Sequence, residues 1–139
     1  MNTGEYLKPI PQISDETREY WEGCRRHELR VQKCRDCGTY IWYPQTLCHK
    51  CCSWNLEWTK IGGKGTVFTY TVVHHPTGKV WESSVPYVVV IVEMPEGIRM
   101  VGDLVGGTSA NVKIGMPVEV VFDDITPEVT LPRFKLVSG

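Results

Sequence analysis

Two Cys-x-x-Cys pairs constrain this chain more than any other feature. Cys34 and Cys37 form the first pair, and Cys48 and Cys51 form the second pair ten residues later. A tight turn in each pair can direct both sulfurs to one point, and two facing pairs supply the four thiolates of a tetrahedral zinc site. The sequence therefore predicts a zinc ribbon with these four cysteines as the metal ligands.

The residues that follow the pairs bear on the shape and the role of this site. Gly38 follows the first pair, where glycine suits a backbone that turns with positive φ. Cys52 takes the corresponding place after the second pair, so we expect the second turn to be less regular. Iron shares the four-thiolate ligand set with zinc and stays an alternative. Four sulfur ligands leave no open coordination position, so we expect a structural site.

Two disulfide bonds are the alternative to a metal site. The first five residues, 1–5, contain neither the basic stretch nor the apolar segment of a secretory signal. In a reducing cytosol, paired Cys-x-x-Cys motifs bind metal more often than they form disulfides. We therefore expect a cytoplasmic, metal-binding protein. Cys24 lies outside the spacing of the pairs and is predicted to be a small buried residue.

The charge balance disfavours nucleic acid as a partner. The chain has 139 residues, with 15 Lys and Arg against 16 Asp and Glu. Residues 1–60 hold nine basic and eight acidic side chains, and residues 61–139 hold six and eight. Attraction to phosphates dominates nucleic-acid affinity, and neither half offers a basic surface. The sequence also contains no apolar run long enough to span a membrane, so no membrane partner is expected.

The N-terminal region predicts an extended arm and then a helix. Residues 1–13 contain one glycine and two prolines, and Ser14 is a suitable helix N-cap. We expect the helix to run to about His27, with basic residues at its C-terminal end. Tyr20 and Trp21 are predicted to pack on the ribbon, although they could instead anchor a partner protein.

The remaining segments predict short strands in two groups. Alternating or β-prone residues predict three ribbon strands, at 29–33, 40–44 and 56–59. The glycines after Ile61 mark a boundary between residues 1–61, with the helix and ribbon, and residues 62–139. This second part predicts five strands, at 66–74, 87–92, 98–104, 118–122 and 131–137.

The five strands are typical of a small Greek-key barrel of the OB type, with an irregular segment between the third and the fourth strand. The continuous apolar run at 87–92 predicts a strand that is buried on both faces. Gly102, inside the third of these strands, predicts a bulge or a barrel corner.

No catalytic motif is visible in the sequence. It contains no Gly-rich phosphate loop, no Gly-x-Ser-x-Gly and no His-Glu-x-x-His. His74 and His75 lie at the end of the first barrel strand, and a histidine pair could perform acid–base chemistry. The sequence places no carboxylate or nucleophile beside them, and solvated loop histidines are the alternative. We therefore expect the chain to lack a catalytic set of its own.

Taken together, the segments resemble the family of zinc-ribbon/OB-fold proteins associated with acyl-CoA enzymes. The resemblance rests on the order and spacing of many short pieces from Asp15 onward. The matching pieces are 20–23, 29–38, Pro44, the second Cys pair, 63–71, Pro86-Tyr87, 114–118 and 131–134. Members of this family are partners of thiolase-fold enzymes that act on CoA thioesters, including thiolases of anaerobic aromatic degradation, and some accompany hydratase-like proteins.

The resemblance implies a mainly β fold, with an N-terminal helix and a rubredoxin-like zinc ribbon followed by a five-stranded OB-fold β-barrel. It also implies a non-catalytic subunit of a hetero-oligomer, which helps to bind a CoA thioester while the thiolase-fold partner supplies the catalytic residues. A nucleic-acid-binding OB protein is the alternative, in which Phe68, Tyr70 and Trp81 would stack on bases.

Two regions are candidates for contact with the CoA thioester. Its phosphates require nearby cations, and guanidinium groups fit phosphate well, although surface solvation also explains most of the basic residues here. The loop between the first two barrel strands commonly borders the ligand face of an OB fold, and its tryptophan could cover an acyl group or the adenine. The predicted ligand-binding residues are Arg25, Arg26, His74, His75, Lys79, Trp81 and Arg133.

Overall fold

The structure, a computed structural model, describes residues 8–137. Within this range the chain forms one α-helix and two antiparallel sheets. The helix and the ribbon strands are α1 (Arg18–Arg25), β1 (Leu29–Cys34), β2 (Tyr40–Ile41) and β3 (Leu56–Ile61). The barrel strands are β4 (Lys64–Val73), β5 (Tyr87–Glu93), β6 (Arg99–Asp103), β7 (Pro117–Asp124) and β8 (Thr130–Leu136), and a short 3-10 helix, Lys79–Trp81, precedes β5.

The ribbon sheet has the strand order β2-β1-β3. Its central strand buries Leu29 and Val31, and Leu29 pairs in register with Ile61 of β3. The β-prone run predicted at 40–44 is a strand only at Tyr40–Ile41. Beyond Ile41 the side chain of Gln32 bonds the backbone of Gln45, in the place of a strand partner, and the chain turns to bring the second Cys pair to the first.

The second sheet has the strand order β6-β5-β4-β7-β8 and closes on itself. Leu104, directly after β6, forms a parallel bridge to Phe134 of β8. The amide of Val105 donates to the Phe134 carbonyl at 2.7 Å, which adds a second link across the seam. Five strands with this order and a parallel closure form an OB-type barrel, and the predicted fold class is confirmed.

The wall of the barrel has one buried face. On β5, the side chains of Val88, Val90 and Val92 are fully buried, whereas Val89 and Ile91 between them are only half-buried. The prediction that this strand is buried on both faces is therefore wrong. Only alternate side chains of a barrel strand point into the core, and the β-branched residues on the outer face partly cover one another.

Helix α1 is shorter than the sequence predicted. It begins at Arg18 and ends at Arg25. Ser14 and Thr17 exchange hydrogen bonds in a turn before the helix, where the Ser14 amide donates to Thr17 Oγ1 at 3.0 Å. His27 has φ +60, which takes the chain out of the helix after its last turn.

The helix, the ribbon and the barrel share one core. Tyr20 and Leu29 belong to the same buried cluster as Val118 and Phe134 of the barrel. The centres of the Tyr20 and Trp42 rings are 4.7 Å apart, so the predicted packing of Tyr20 on the ribbon is confirmed. The predicted division into residues 1–61 and 62–139 stays a prediction, because the two parts share this core.

Two glycines allow close contacts within this core. Gly63, between β3 and β4, has φ +76, and a methyl group there would overlap the side chain of Val120. Gly102 pairs in regular register with Val90, so of the two alternatives predicted there the bulge is wrong and the barrel corner stays a prediction. A Cβ at Gly102 would lie 2.8 Å from the ring of Phe134. This glycine therefore makes room for the side chain that closes the barrel.

Candidate metal centre and barrel cavity

The four predicted ligand cysteines meet at one point. The Sγ atoms of Cys34 and Cys51 are 3.6 Å apart, as are those of Cys37 and Cys48. All four sulfurs lie within 4.8 Å of one another. A tetrahedral zinc with Zn–S bonds of about 2.3 Å requires sulfurs separated by about 3.8 Å. The residues present therefore fit the four-thiolate set of a structural zinc.

The two Cys pairs have the same local geometry. The amide of Gly38 donates to the Cys34 carbonyl at 2.9 Å, and the amide of Cys52 donates to the Cys48 carbonyl at 2.9 Å. Gly38 has φ +76 and Cys52 has φ +62. The expectation of a less regular second turn is therefore wrong. Cys52 adopts the left-handed conformation that the turn requires, at a steric cost of about 1–2 kcal/mol.

Hydrogen-bond donors surround the sulfurs. The Lys50 amide donates to Cys48 Sγ at 3.4 Å, and the Thr39 hydroxyl lies 3.1 Å from Cys37 Sγ. The side-chain and backbone hydrogen bonds of Thr39 lower the pKa of Cys37 to about 6. In Cys51 a backbone hydrogen bond of Ser53 acts in the same direction, but the neighbouring Cys34 thiol and burial outweigh it and raise the pKa to about 12. Hydrogen-bond donors to a sulfur favour the thiolate, which is the form that binds a metal, and the closeness of the other thiols opposes it.

The other two cysteines have different environments. Cys24 is fully buried in the core, as predicted, and burial raises the pKa of its thiol to about 12. Cys52 is exposed and lies outside the group of four sulfurs. Neither cysteine belongs to the metal centre.

A cavity of about 520 Å³ opens beside the 3-10 helix of the barrel. The ends of the first barrel loop, of β6 and of β8 meet around it. Its apolar wall is formed by Trp81, Tyr87, Leu104, Val105 and Leu131, and the rings of Trp81 and Tyr87 lie 5.9 Å apart. An apolar cavity with a few charged groups at its edge is the usual form of a small-molecule site.

The charged groups of the cavity are largely paired. Arg133 contacts Asp103 at 3.5 Å and Asp123 at 3.2 Å. Its Nε is buried and has no hydrogen-bond partner within residues 8–137. Lys8 also lines the cavity, with Nζ 5.1 Å from the centre of the Trp81 ring. The cavity therefore carries little uncompensated positive charge.

Barrel closure brings two of the predicted ligand-binding residues together. Trp81 and Arg133 line the same cavity, although the sequence separates them by most of the barrel. Lys79, on the same 3-10 helix, is exposed and is not among the lining residues. His74 and His75 are exposed after β4 and do not line the cavity either. A ligand role for these three residues stays a prediction.

The basic end of α1 is part of a network of surface ion pairs. Arg25 contacts Glu22 at 3.7 Å, and Arg26 contacts Glu19 at 3.8 Å and Glu28 at 3.7 Å. Neither arginine lines the barrel cavity. These contacts account for both guanidinium groups as part of the helix surface, and a ligand role for them also stays a prediction.

Sequence reasoning missed several residues of the cavity. Lys8, Tyr87 and Asp103 line it, and so do Gly106 and Gly107. Gly106 and Gly107 follow the strand predicted at 98–104, and this pair of glycines indicates a turn after that strand. No local pattern marks Lys8, because its contact with the Trp81 ring joins residues that are distant in sequence.

Comparison with known proteins identifies the family. The family model described as the ChsH2 rubredoxin-like zinc ribbon domain matches residues 21–57, and the ChsH2 C-terminal OB-fold domain matches residues 58–123. A DUF35 domain-containing scaffold protein of Methanocaldococcus jannaschii is 42% identical over 98 residues, which cover 70% of this chain and 69% of that protein. The chain belongs to the ChsH2/DUF35 family.

Longer relatives of the ChsH2/DUF35 chain carry names of CoA enzymes. The probable enoyl-CoA hydratase alpha subunit of Thermomonospora curvata is 36% identical over 93% of this chain and 40% of its own length. The 3-oxo-4,17-pregnadiene-20-carboxyl-CoA hydratase alpha subunit of Mycobacterium tuberculosis is 39% identical over 82% of this chain and 36% of its own length. The chain thus spans about 40% or less of these two relatives.

A solved structure resembles most of the ChsH2/DUF35 chain. A chain of the Ltp2-ChsH2(DUF35) aldolase has a TM-score of 0.82 and 35% sequence identity, and the match covers 91% of this chain and 98% of the other. In the part of the chain that the structure describes, no helix is long and apolar enough to cross a membrane.

Proposed function

We propose that this chain is a non-catalytic subunit of a complex that acts on CoA thioesters. In this complex it docks on an enzyme subunit of the thiolase fold and helps to bind the CoA thioester. The observation that carries the proposal is the match over 91% of the chain to a solved chain of the Ltp2-ChsH2(DUF35) aldolase. Two longer relatives named as CoA hydratase alpha subunits support the same substrate class.

The metal centre has a structural role in this proposal. Cys34, Cys37, Cys48 and Cys51 would hold one zinc, which stabilises the ribbon as a platform. Four thiolates leave no position for a substrate or a reacting water. The catalytic nucleophile and the catalytic base therefore belong to the enzyme subunit.

The barrel cavity would contact the CoA thioester at the border with the enzyme subunit. Trp81 and Tyr87 offer flat apolar surfaces for the acyl group or the adenine. Arg133 already faces two carboxylates, so it adds little attraction for the phosphates of CoA. Most of the phosphate contacts would come from the enzyme subunit, and the isolated chain would bind CoA weakly.

Calorimetry and kinetics test the proposal at this cavity. Titration of CoA into the isolated chain should show weak binding or none, because the phosphates lack their partners. In the assembled complex, Trp81→Ala should raise the KM for the acyl-CoA by about tenfold, which corresponds to the loss of one stacked aromatic contact. Val80→Ala is the matched control, since Val80 lies on the same 3-10 helix, is exposed and is not among the lining residues.

Two results would contradict this function. Tight binding of CoA to the isolated chain would argue for a complete site within the barrel. Equal KM values for the Trp81→Ala complex and the Val80→Ala complex would remove the cavity from the CoA site.

A further inference from the structure

Trp54 is an exposed aromatic residue three positions after Cys51, the last cysteine of the second Cys pair. Its exposed fraction, 74%, is the highest among the large apolar side chains that the structure describes as exposed. A tryptophan that becomes buried removes roughly 150–250 Å² from water, so this exposure leaves a large amount of unused apolar surface. Single exposed apolar residues are common on protein surfaces, so the exposure of Trp54 alone does not indicate a binding site. The hydrogen bonds that hold the backbone on both sides of Trp54 are the additional observation.

The two neighbours of Trp54 are tied to the first Cys pair. The Ser53 hydroxyl and the Asn55 side-chain amide both donate to the carboxylate of Asp36, the second at 3.4 Å. The backbone amide of Asn55 also donates to Ser53 Oγ at 3.0 Å. Both sides of the tryptophan are therefore fixed by one carboxylate that lies between the two cysteines of that pair.

Backbone hydrogen bonds add to this restraint. The Cys48 amide donates to the Ser53 carbonyl at 2.9 Å, and the Arg35 amide donates to the Asn55 carbonyl at 2.9 Å. Each bond links a neighbour of Trp54 to a residue in or beside a Cys pair. The metal centre and these bonds therefore present the indole on an ordered backbone, which lowers the entropy that is lost on binding.

The charges near Trp54 favour a protein as its partner. Arg35 pairs with Glu57 at 3.3 Å, and Asp36 accepts the hydrogen bonds described above. The surroundings are therefore polar and close to neutral, without the excess positive charge that attraction to phosphates requires. An aromatic anchor with a polar rim is typical of the energetically dominant contacts in protein interfaces.

We propose that Trp54 is the anchor by which the zinc ribbon docks on the enzyme subunit, where its indole enters an apolar pocket. This inference rests on the proposed function. The enzyme subunit is the chosen occupant over a second copy of the chain, because the similar solved chain, matched over 91% of this one, is named together with Ltp2 as an aldolase. In this proposal the zinc ribbon contributes to assembly of the complex because it orders the backbone on both sides of Trp54.

The experiment measures the affinity of the complex. The enzyme subunit that co-purifies with the full chain is identified by mass spectrometry, expressed, and titrated with the zinc-loaded chain by calorimetry. Trp54→Ala should raise the Kd by about 30-fold, the effect of losing an interface hot spot. Trp54→Phe should recover part of the affinity because it keeps an aromatic ring. Ile114→Ala is the matched control, since Ile114 is 67% exposed on the barrel, and it should leave the Kd unchanged.

The outcomes separate this inference from the proposed function. A complex that forms equally well with Trp54→Ala, at full zinc content, overturns the anchor and leaves the proposed function intact. If the wild-type chain binds no enzyme subunit, the proposed function and the anchor both fail. Self-association of the isolated chain that Trp54→Ala abolishes in sedimentation would identify a second copy as the occupant, and this result also overturns the inference.

Discussion

His27 and Asp124 join the end of the helix to the end of β7 by a hydrogen bond of 3.0 Å between Nε2 and Oδ1, across 97 residues of sequence. The hydroxyl of Thr130 donates to the same carboxylate oxygen at 2.6 Å. The imidazole also stacks on the ring of Phe122, with the ring centres 5.2 Å apart. This cluster is one of the places where the helical segment is attached to the barrel.

We expect this attachment to depend on pH through Asp124. The hydrogen bond from Thr130, and then the one to His27, lowers the pKa of the Asp124 carboxyl. A lowered carboxyl pKa contributes stability that is fully present above the pKa of the unfolded chain, and this stability is lost as the pH falls through the folded pKa. Asp124→Asn should therefore lower the free energy of unfolding at pH 7, and its difference from wild type should shrink below about pH 4.

Urea unfolding between pH 7 and pH 3 measures this dependence. Glu128→Gln changes an exposed carboxylate in the adjacent turn and serves as the control, with a pH profile parallel to wild type. Equal stability of Asp124→Asn and wild type at pH 7 would show that the cluster contributes nothing to the attachment.

Metal binding should require Cys48 and should not require Cys52. Cys48→Ala removes one of the four converging sulfurs, whereas Cys52 lies outside that group. Cys48→Ala should lose the metal and most of the roughly 10 kcal/mol of folding free energy that structural zinc contributes to small ribbons. Cys52→Ala should retain one zinc per chain in elemental analysis. Metal loss from Cys52→Ala would mean that the second pair is assigned wrongly.

A methyl group at Gly63 should destabilise the junction between the ribbon and the barrel. Gly63 has φ +76, and its added Cβ would overlap Val120. Strain and overpacking together should lower the free energy of unfolding by about 2–4 kcal/mol. Gly62→Ala is the control, because no atom beyond its two chain neighbours lies within 4 Å of the added Cβ, and its effect should stay within about 1 kcal/mol. Urea titrations that show equal effects for the two variants would disprove the close approach.

The isolated chain should not turn over an acyl-CoA. Thiolysis or condensation needs an activated cysteine with a base beside it. Cys24 is buried with its pKa raised to about 12, and Cys52 has no hydrogen-bonded base in residues 8–137. Assays of the purified chain with acetyl-CoA, acetoacetyl-CoA and free CoA should show no thiolase activity. Activity that persists in the absence of any other protein would contradict a non-catalytic role.

The number and the order of the elements were predictable from sequence because they depend on local patterns. The spacing of the Cys pairs, the β-branched runs and the turn glycines each act over a few residues, and together they predicted the ribbon and the five-stranded barrel. The limits of α1 were not predictable in this way. The helix ends at Arg25, and His27, two residues later, has φ +60 and contacts Asp124, which is distant in sequence.

The metal centre and the barrel cavity show the difference between sequence and tertiary structure. The sequence by itself determined the four sulfurs, because a Cys-x-x-Cys turn places two of them without help from the rest of the chain. Only the tertiary structure decided that Trp81 and Arg133 share a cavity and that Asp103 and Asp123 neutralise the arginine. The contact of Arg133 with Asp103 arises when β6 meets β8 at the seam, whereas Asp123 lies on β7, which pairs with β8. Pairing between strands that are distant in sequence, such as β6 and β8, leaves no local pattern in either strand.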